Sequence, residues 1–236
     1  LVYRKLTAAK VWRALVQIGE RLGNSWSSVR IGPVRVISHA LWSFVAAAAG
    51  TLLTLYLAGP ALLRPCAWVL LAALLSAGTW GYLLEGGGRL SRPFGYYGFL
   101  IGGLLAIALT AWFDVPGWST LAAAIAAAAP VTQAVGRVRC IVQGCCHGRP
   151  VGGAAGFRIT HRMSRVTALA SLKGVAIHPT PMYSIAGNVL LLLVLLRLWH
   201  TGAAWTLIGG LYLLLASMAR FVEEQYRGEP QTVKWL

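Results

Sequence analysis

Six long apolar runs, each with at most one charged residue near an end, constrain this chain more than any other feature. They are Val36–Ala58, Ala61–Leu84, Tyr96–Trp112, Trp118–Val135, Tyr183–Trp199 and Ala204–Val222. At about 1.5 Å of rise per residue, each is long enough to cross the hydrocarbon core as a helix. A soluble domain carries about a quarter charged residues; this chain carries 11%. The expected fold class is therefore an all-α integral membrane protein of about six transmembrane helices. The fourth run has the weakest signal, because its alanines contribute little transfer energy and Pro130 is expected to kink it. Trp42, Trp80, Tyr82, Trp112, Trp118, Trp199 and Trp205 fall near run ends, where aromatic rings anchor at the interface.

The 21 Lys and Arg against 6 Asp and Glu leave a formal charge of +15. No nucleic-acid motif accompanies that charge, so an anionic phospholipid surface is the expected partner and nucleic acid is not. Residues 1–35 hold seven of the basic side chains. Within them Val11, Leu15, Ile18 and Leu22 share one helical face, with Lys10, Arg13, Gln17 and Arg21 largely opposite. That pattern predicts a basic amphipathic segment lying on the membrane, followed by a transmembrane domain over residues 36–236. No signal peptide is visible. The chain starts at Leu1, as expected of a processed or partly observed product.

Crossing parity groups the polar residues. The segments before the first run, between the second and third, between the fourth and fifth, and after the sixth share one face. Short connections near Gly59, Asp114 and Thr201 form the other. The first face receives the cluster Glu85–Gly98, a polar head segment at residues 139–181, and Arg220–Gln231. A loop that long is expected to be folded or functional.

Arg137 and Arg220 stand at the ends of apolar runs. A guanidinium in lipid costs several kcal/mol unless paired, so each is a functional candidate, with snorkelling to the interface as the alternative. Arginine's fork of donors fits phosphate oxygens. Glu224, four residues after Arg220, shares its helical face, and Arg227 continues it. Cys140, Cys145, Cys146 and His147 could be read as metal ligands, but their spacing fits no common zinc pattern and adjacent cysteines rarely share an ion. The expectation is no metal. A disulfide from Cys140 to either neighbour, or simple buried thiols, stay open. His178, between Arg149 and the fifth run, serves either as a titrating base or as a structural cap; Pro179 and Pro181 extend the backbone beside it.

Taken together, four motifs in order resemble the bacterial prolipoprotein diacylglyceryl transferases. They are Tyr97-Gly98-Phe99-Leu100-Ile101-Gly102-Gly103, Gly136-Arg137 leading to Gly148-Arg149, His178-Pro179-Thr180 with Tyr183, and Arg220-Phe221 with Glu224, Arg227 and Gly228. The resemblance covers roughly residues 85–231. It implies transfer of a diacylglyceryl group from phosphatidylglycerol to a cysteine thiol of a preprolipoprotein, in the bacterial cytoplasmic membrane, with no cofactor. It matches Arg137 and Arg220 to the family's essential arginines, Gly148 to its essential glycine, Glu224 and Arg227 to its late acidic–basic pair, and Tyr97 to the position opening its third helix. The pattern departs from the family where Cys140, Gln143 and Cys145 replace two asparagines and a glutamate. It departs again at Ala216, at Pro181-Met182-Tyr183-Ser184, and at Leu236, where the family would continue for one more helix.

The implied reaction needs a thiolate, a base and cations for the leaving phosphate. Arg137 and Arg220 are expected to hold the phosphate with help from Arg149 or Arg227. His178, His147 or Tyr97 would handle the proton, and Gly144 and Gly148 would let the backbone approach the headgroup. The rival expectation is a non-catalytic lipid-binding or assembly subunit that kept this fold. Two signals disagree on orientation. Counting Lys and Arg puts the motif face in the cytoplasm, whereas the resemblance puts it outside; the outside placement is the expectation here.

Overall fold

The computed structural model describes residues 8–86, 95–152 and 156–228. Residues 1–7 of the basic segment, residues 87–94 of the expected polar cluster, and residues 229–231 at the end of the last motif lie outside them.

Helix α1 (Ala8–Gly23) is followed by a hairpin of β1 (Ser28–Ile31) and β2 (Val34–Ile37). The strands pair antiparallel from Ser28↔Ile37 to Ile31↔Val34, turning at Gly32 with φ 58°. Then come α2 (Ser38–Ala58), a 3-10 turn at Pro60–Leu62, α3 (Leu63–Glu85), α4 (Tyr96–Trp112) and α5 (Trp118–Gln143). The head segment contributes β3 (Phe157–Arg158), α6 (Arg165–Ala168) and β4 (Ala176–Ile177), and α7 (Thr180–His200) and α8 (Trp205–Glu224) close the order. Helices α2, α3, α5, α7 and α8 are long and apolar enough to span a bilayer, and α4 is a shorter apolar helix. The protein is an all-α multi-pass membrane protein; among the described residues its strands form two short two-stranded pairs.

Three boundaries differ from expectation. Val36 and Ile37 belong to strand β2 instead of the first span, because β-branched residues flanking a Gly-Pro turn form a hairpin. Helix α5 continues past Val135 to Gln143, so Arg137, Arg139 and Cys140 are helical. The Arg137 charge is met by Glu223, which lets the helix run on. It stops at Gly144, whose φ of 77° is the left-handed position that ends many helices. The head segment thus begins at Gly144 rather than at residue 139.

The chain divides into two compact units. One comprises residues 1–46, 133–188 and 217–230. Its core is Val16, Phe157, Ile159, Val166 and Ile177, with Trp12, Leu172 and Met182 packed against them. Val11, Leu15 and Ile18 are exposed. The opposite stripe of α1 docks on the head segment: a Cβ at Gly19 would lie 2.9 Å from Met182 Sδ, and one at Gly23 would lie 3.0 Å from Ile159. Asn24 completes the joint. Its Oδ1 accepts from the Thr160 N–H (2.8 Å) and the His161 N–H (3.0 Å), and its Nδ2 donates to the Arg158 carbonyl (3.2 Å).

The other unit comprises, among the described residues, 47–132 and 189–216. Ala123, Ala126, Ala127, Leu191, Leu195, Ile208 and Tyr212 form one core cluster, and Leu62, Cys66, Val69 and Leu121 form a second. Helices α3 and α4 pack through Gly98 and Gly102. A Cβ at Gly98 would lie 2.5 Å from the Ser76 carbonyl oxygen, and one at Gly102 would lie 2.5 Å from Ser76 Cβ. This is the small-residue spacing that lets membrane helices approach closely. Leu52, Tyr56, Trp68, Leu105 and Trp112 face outward, as lipid contact requires.

Candidate functional site

The first unit joins Arg137 of α5 to Arg220 of α8 through one carboxylate. Arg137 Nη2 donates to Glu223 Oε2 at 2.9 Å. Arg220 Nη1 lies 3.1 Å from the other oxygen, Oε1, as an ion pair without hydrogen-bond alignment. Arg220 Nη2 reaches Glu224 Oε2 at 2.9 Å, and Arg227 Nη1 donates to that same oxygen at 2.9 Å. Three arginines therefore alternate with two glutamates, leaving one positive charge. The network is mostly buried: Glu223 and Arg227 side chains are 5% exposed, Arg137 18% and Arg220 24%. Burial at this level makes each partner strongly dependent on the others. Arg137 Nε also donates to Ser184 Oγ at 2.8 Å, and Asn188 Nδ2 holds the Ser184 carbonyl at 2.8 Å.

Glycine 148 binds the head segment to the late helix. It bridges Arg227 in an antiparallel pair, the Arg149 N–H donates to the Tyr226 carbonyl (2.9 Å), and the Gly228 N–H donates to the His147 carbonyl (2.9 Å). On its other side the His178 N–H donates to the Arg149 carbonyl at 3.0 Å. A Cβ at Gly148 would press into the His178 backbone, 2.9 Å from Cα. The missing side chain is thus used for protein packing. Gly144 is similar, since a Cβ there would strike Ser164 Oγ. Exposed Arg149 donates from Nε to the Arg227 carbonyl at 3.0 Å.

Half-buried His178 places Nδ1 3.2 Å from the Tyr183 hydroxyl, a hydrogen bond whose direction the imidazole tautomer sets. Its ring tilts on Tyr226 at 5.3 Å between centroids, and Tyr226 meets Tyr183 edge to face at 6.0 Å. His147 is buried, and its Nδ1 donates to the Gly144 carbonyl at 3.1 Å, capping the end of α5. Tyr97 opens α4 in the other unit, half exposed.

Four residues that sequence reasoning did not select now stand out. Glu223 is one; a second glutamate beside Glu224, three residues from Arg220, was the available signal. Thr180 is another: fully buried, it donates Oγ1 to the Cys146 carbonyl at 2.6 Å. Arg139 keeps Nε and Nη2 buried without a hydrogen-bond partner, and His39, whose Nδ1 is also unsatisfied, lies within its electrostatic reach.

The cysteines converge as well. The left-handed Gly144 and Cys146 (φ 57°) fold the chain back on α5, and the Sγ atoms of Cys140, Cys145 and Cys146 all lie within 4.8 Å of one another. Among the described residues no cysteine is in a disulfide. Hydrogen bonds from Cys140 and Cys145 hold the Cys146 thiol well below its usual range, and Arg137 and Arg227 also favour its thiolate. The same hydrogen bonding to Cys140 and Cys146, together with burial, pushes Cys145 well above it.

A family model described as prolipoprotein diacylglyceryl transferase matches residues 27–236. The chain is 27% identical to the phosphatidylglycerol–prolipoprotein diacylglyceryl transferase of Clostridium tetani, over 60% of this chain and 55% of that protein. It is 27% identical to the corresponding transferase 2 of Clostridium perfringens, over 64% and 59%. It is 29% identical to the Erythrobacter litoralis transferase, over 56% and 45%. The chain thus spans about half the length of the curated relatives it matches. With the match to the family model running from the hairpin through the arginine–glutamate network, the chain belongs to the prolipoprotein diacylglyceryl transferase family.

Proposed function

We propose that this protein transfers the diacylglyceryl group of phosphatidylglycerol to a cysteine thiol of a prolipoprotein. One observation carries the reading: Arg137 and Arg220, from separate spanning helices, hold the two oxygens of one buried carboxylate. Two guanidinium groups aimed at an anion of that size can also grip the phosphodiester of a lipid headgroup. The network's single excess positive charge matches the single negative charge of that phosphodiester.

In this mechanism the acceptor sulfur forms a bond to the sp³ glycerol carbon as the carbon–oxygen bond to phosphate breaks. The leaving glycerol phosphate takes the electron pair, and Arg137 and Arg220 stabilise the charge that develops on it. Glu223 positions both arginines, and Glu224 and Arg227 extend their support. The acceptor thiol gives its proton to His178, whose ring Tyr183 orients. Gly148 acts through packing, holding His178 and Arg227 on either side of one backbone strand. Gly144, His147 and Arg149 shape the same segment. Tyr97 is assigned to the substrate route at the start of α4. The acyl tails stay in the bilayer, because each exposed methylene costs about 0.8 kcal/mol, so the lipid enters sideways between helices. The site faces the outside of the bacterial cytoplasmic membrane, and residues 1–35 serve as a basic surface anchor to a transferase domain over 36–236.

A second reading is a lipid-binding subunit without transfer activity. It is favoured by the thiols of Cys140 and Cys145, which stand where the resembling motif has asparagine and glutamate. Complementation of a transferase-depleted strain separates the two. Restored growth together with lipidated prolipoprotein supports transfer. Stable membrane expression with no lipidation supports the binding subunit.

A further inference from the structure

We propose that Cys140, Cys145 and Cys146 form a three-sulfur site for a soft, thiophilic ion, copper(I). Three sulfurs within 4.8 Å of one another come close to the roughly 4 Å edges of a trigonal site with metal–sulfur bonds of about 2.3 Å. The arrangement is built, since the last turn of α5 supplies Cys140 and the Gly144 turn returns the other two. Cys146 adopts φ 57°, a conformation that is strained for a non-glycine residue and persists where surrounding structure holds it. Buried Thr180 does so by binding the Cys146 carbonyl. Cys145 and Cys146 are themselves buried.

The donor set selects the ion. All three atoms are thiol sulfurs, which favour copper(I), zinc and iron–sulfur clusters over hard cations. Structural zinc almost always takes four ligands, and among the described residues this group offers three. Copper(I) is satisfied by three thiolates. Each coordinating thiol loses its proton to solvent on binding, and no electron is transferred. The expectation of no metal was drawn from zinc spacings along the chain, and this proposal departs from it for a softer ion. This inference stands apart from the transfer reading.

The test uses full-length protein reduced and handled without oxygen in detergent, titrated with copper(I) held by a chromophoric competitor. One copper per chain is expected for the wild type and for Cys66→Ser. At least tenfold weaker retention is expected for Cys140→Ser, Cys145→Ser and Cys146→Ser. X-ray absorption on the wild type alone, which no misfolded variant can confuse, should count three sulfur neighbours. Failure of the wild type to take copper from the competitor overturns the proposal. So does retention that none of the three serine variants changes. One tightly held zinc per chain at equal metal supply, or a Cys140 disulfide in place of copper uptake, overturns it too.

Discussion

The two units solve the same problem, packing helices in lipid, by opposite means. In the unit of residues 47–132 and 189–216, cohesion comes from absence. Alanines at 123, 126 and 127 form a core with Leu191, Leu195 and Ile208, and Gly98 and Gly102 bring α4 against α3. Lipid tails are as apolar as leucine, so close contact between small residues provides the attraction there. In the other unit, a buried charge network is added to a small hydrophobic core. Glu223 holds arginines from α5 and α8, and Asn24 ties α1 to the head segment. The lesson is a division of risk. Small-residue contacts lose little when one is altered, whereas a buried charge network loses its balance with any one member.

The sharpest way to break that contrast is at the arginines. Arg137→Ala and Arg220→Ala are each expected to lower lipid transfer by at least about 100-fold, the scale for losing a charge-stabilising donor. Membrane expression and a monodisperse detergent elution profile should persist. Activity equal to the wild type in either variant, measured with labelled phosphatidylglycerol and a prolipoprotein peptide, removes the phosphate role.

Glu223→Ala tests stability rather than chemistry. Removing the shared carboxylate leaves two guanidinium groups facing each other, a loss of about 3–5 kcal/mol. Glu223→Gln keeps the shape and should destabilise less. Thermal unfolding in detergent that ranks glutamine below alanine would show the carboxylate is not what holds the arginines.

The apolar unit should respond more mildly. Gly102→Val forces a side chain toward Ser76 Cβ and the Ala72 carbonyl, an overpacking penalty of about 1–3 kcal/mol. A melting temperature matching the wild type would mean α3 and α4 separate at no cost, and the small-residue argument would fall.

Asn24→Ala should have the smallest effect, about 1 kcal/mol per hydrogen bond lost and less where water replaces it. Faster protease cleavage near residues 24–27, with transfer little changed, is the expected signature. Unchanged cleavage would show that α1 docks through Trp12, Val16 and Gly19 alone.

Much of this was legible along the chain. The six helices appeared where apolar runs did, because the hydrocarbon core imposes its thickness on any chain that crosses it. The pairing of Arg220 with Glu224 was legible too, since four residues is one helical turn. Three features were not. Strand β2 took Val36 and Ile37 because hydropathy alone does not distinguish a buried strand from a helix start. Helix α5 outran its apolar stretch because Glu223 and Ser184 satisfy Arg137. Helix α1 leaves Val11, Leu15 and Ile18 exposed, yet docks through a second stripe whose glycines read as neutral.

By itself, then, the sequence determined the environment, the number of crossings and the set of polar residues that must find partners. Those follow from composition and from spacings within a few residues, where backbone geometry is universal. Only the tertiary structure decided which partners they found. Arg137 meets a carboxylate 86 residues away. Cys140 meets two thiols because a pair of left-handed residues reverses the chain, and Gly148 is filled by the backbone of His178. Such meetings depend on how elements close over one another, and no local periodicity encodes which of several arginines, glutamates or thiols will share a site.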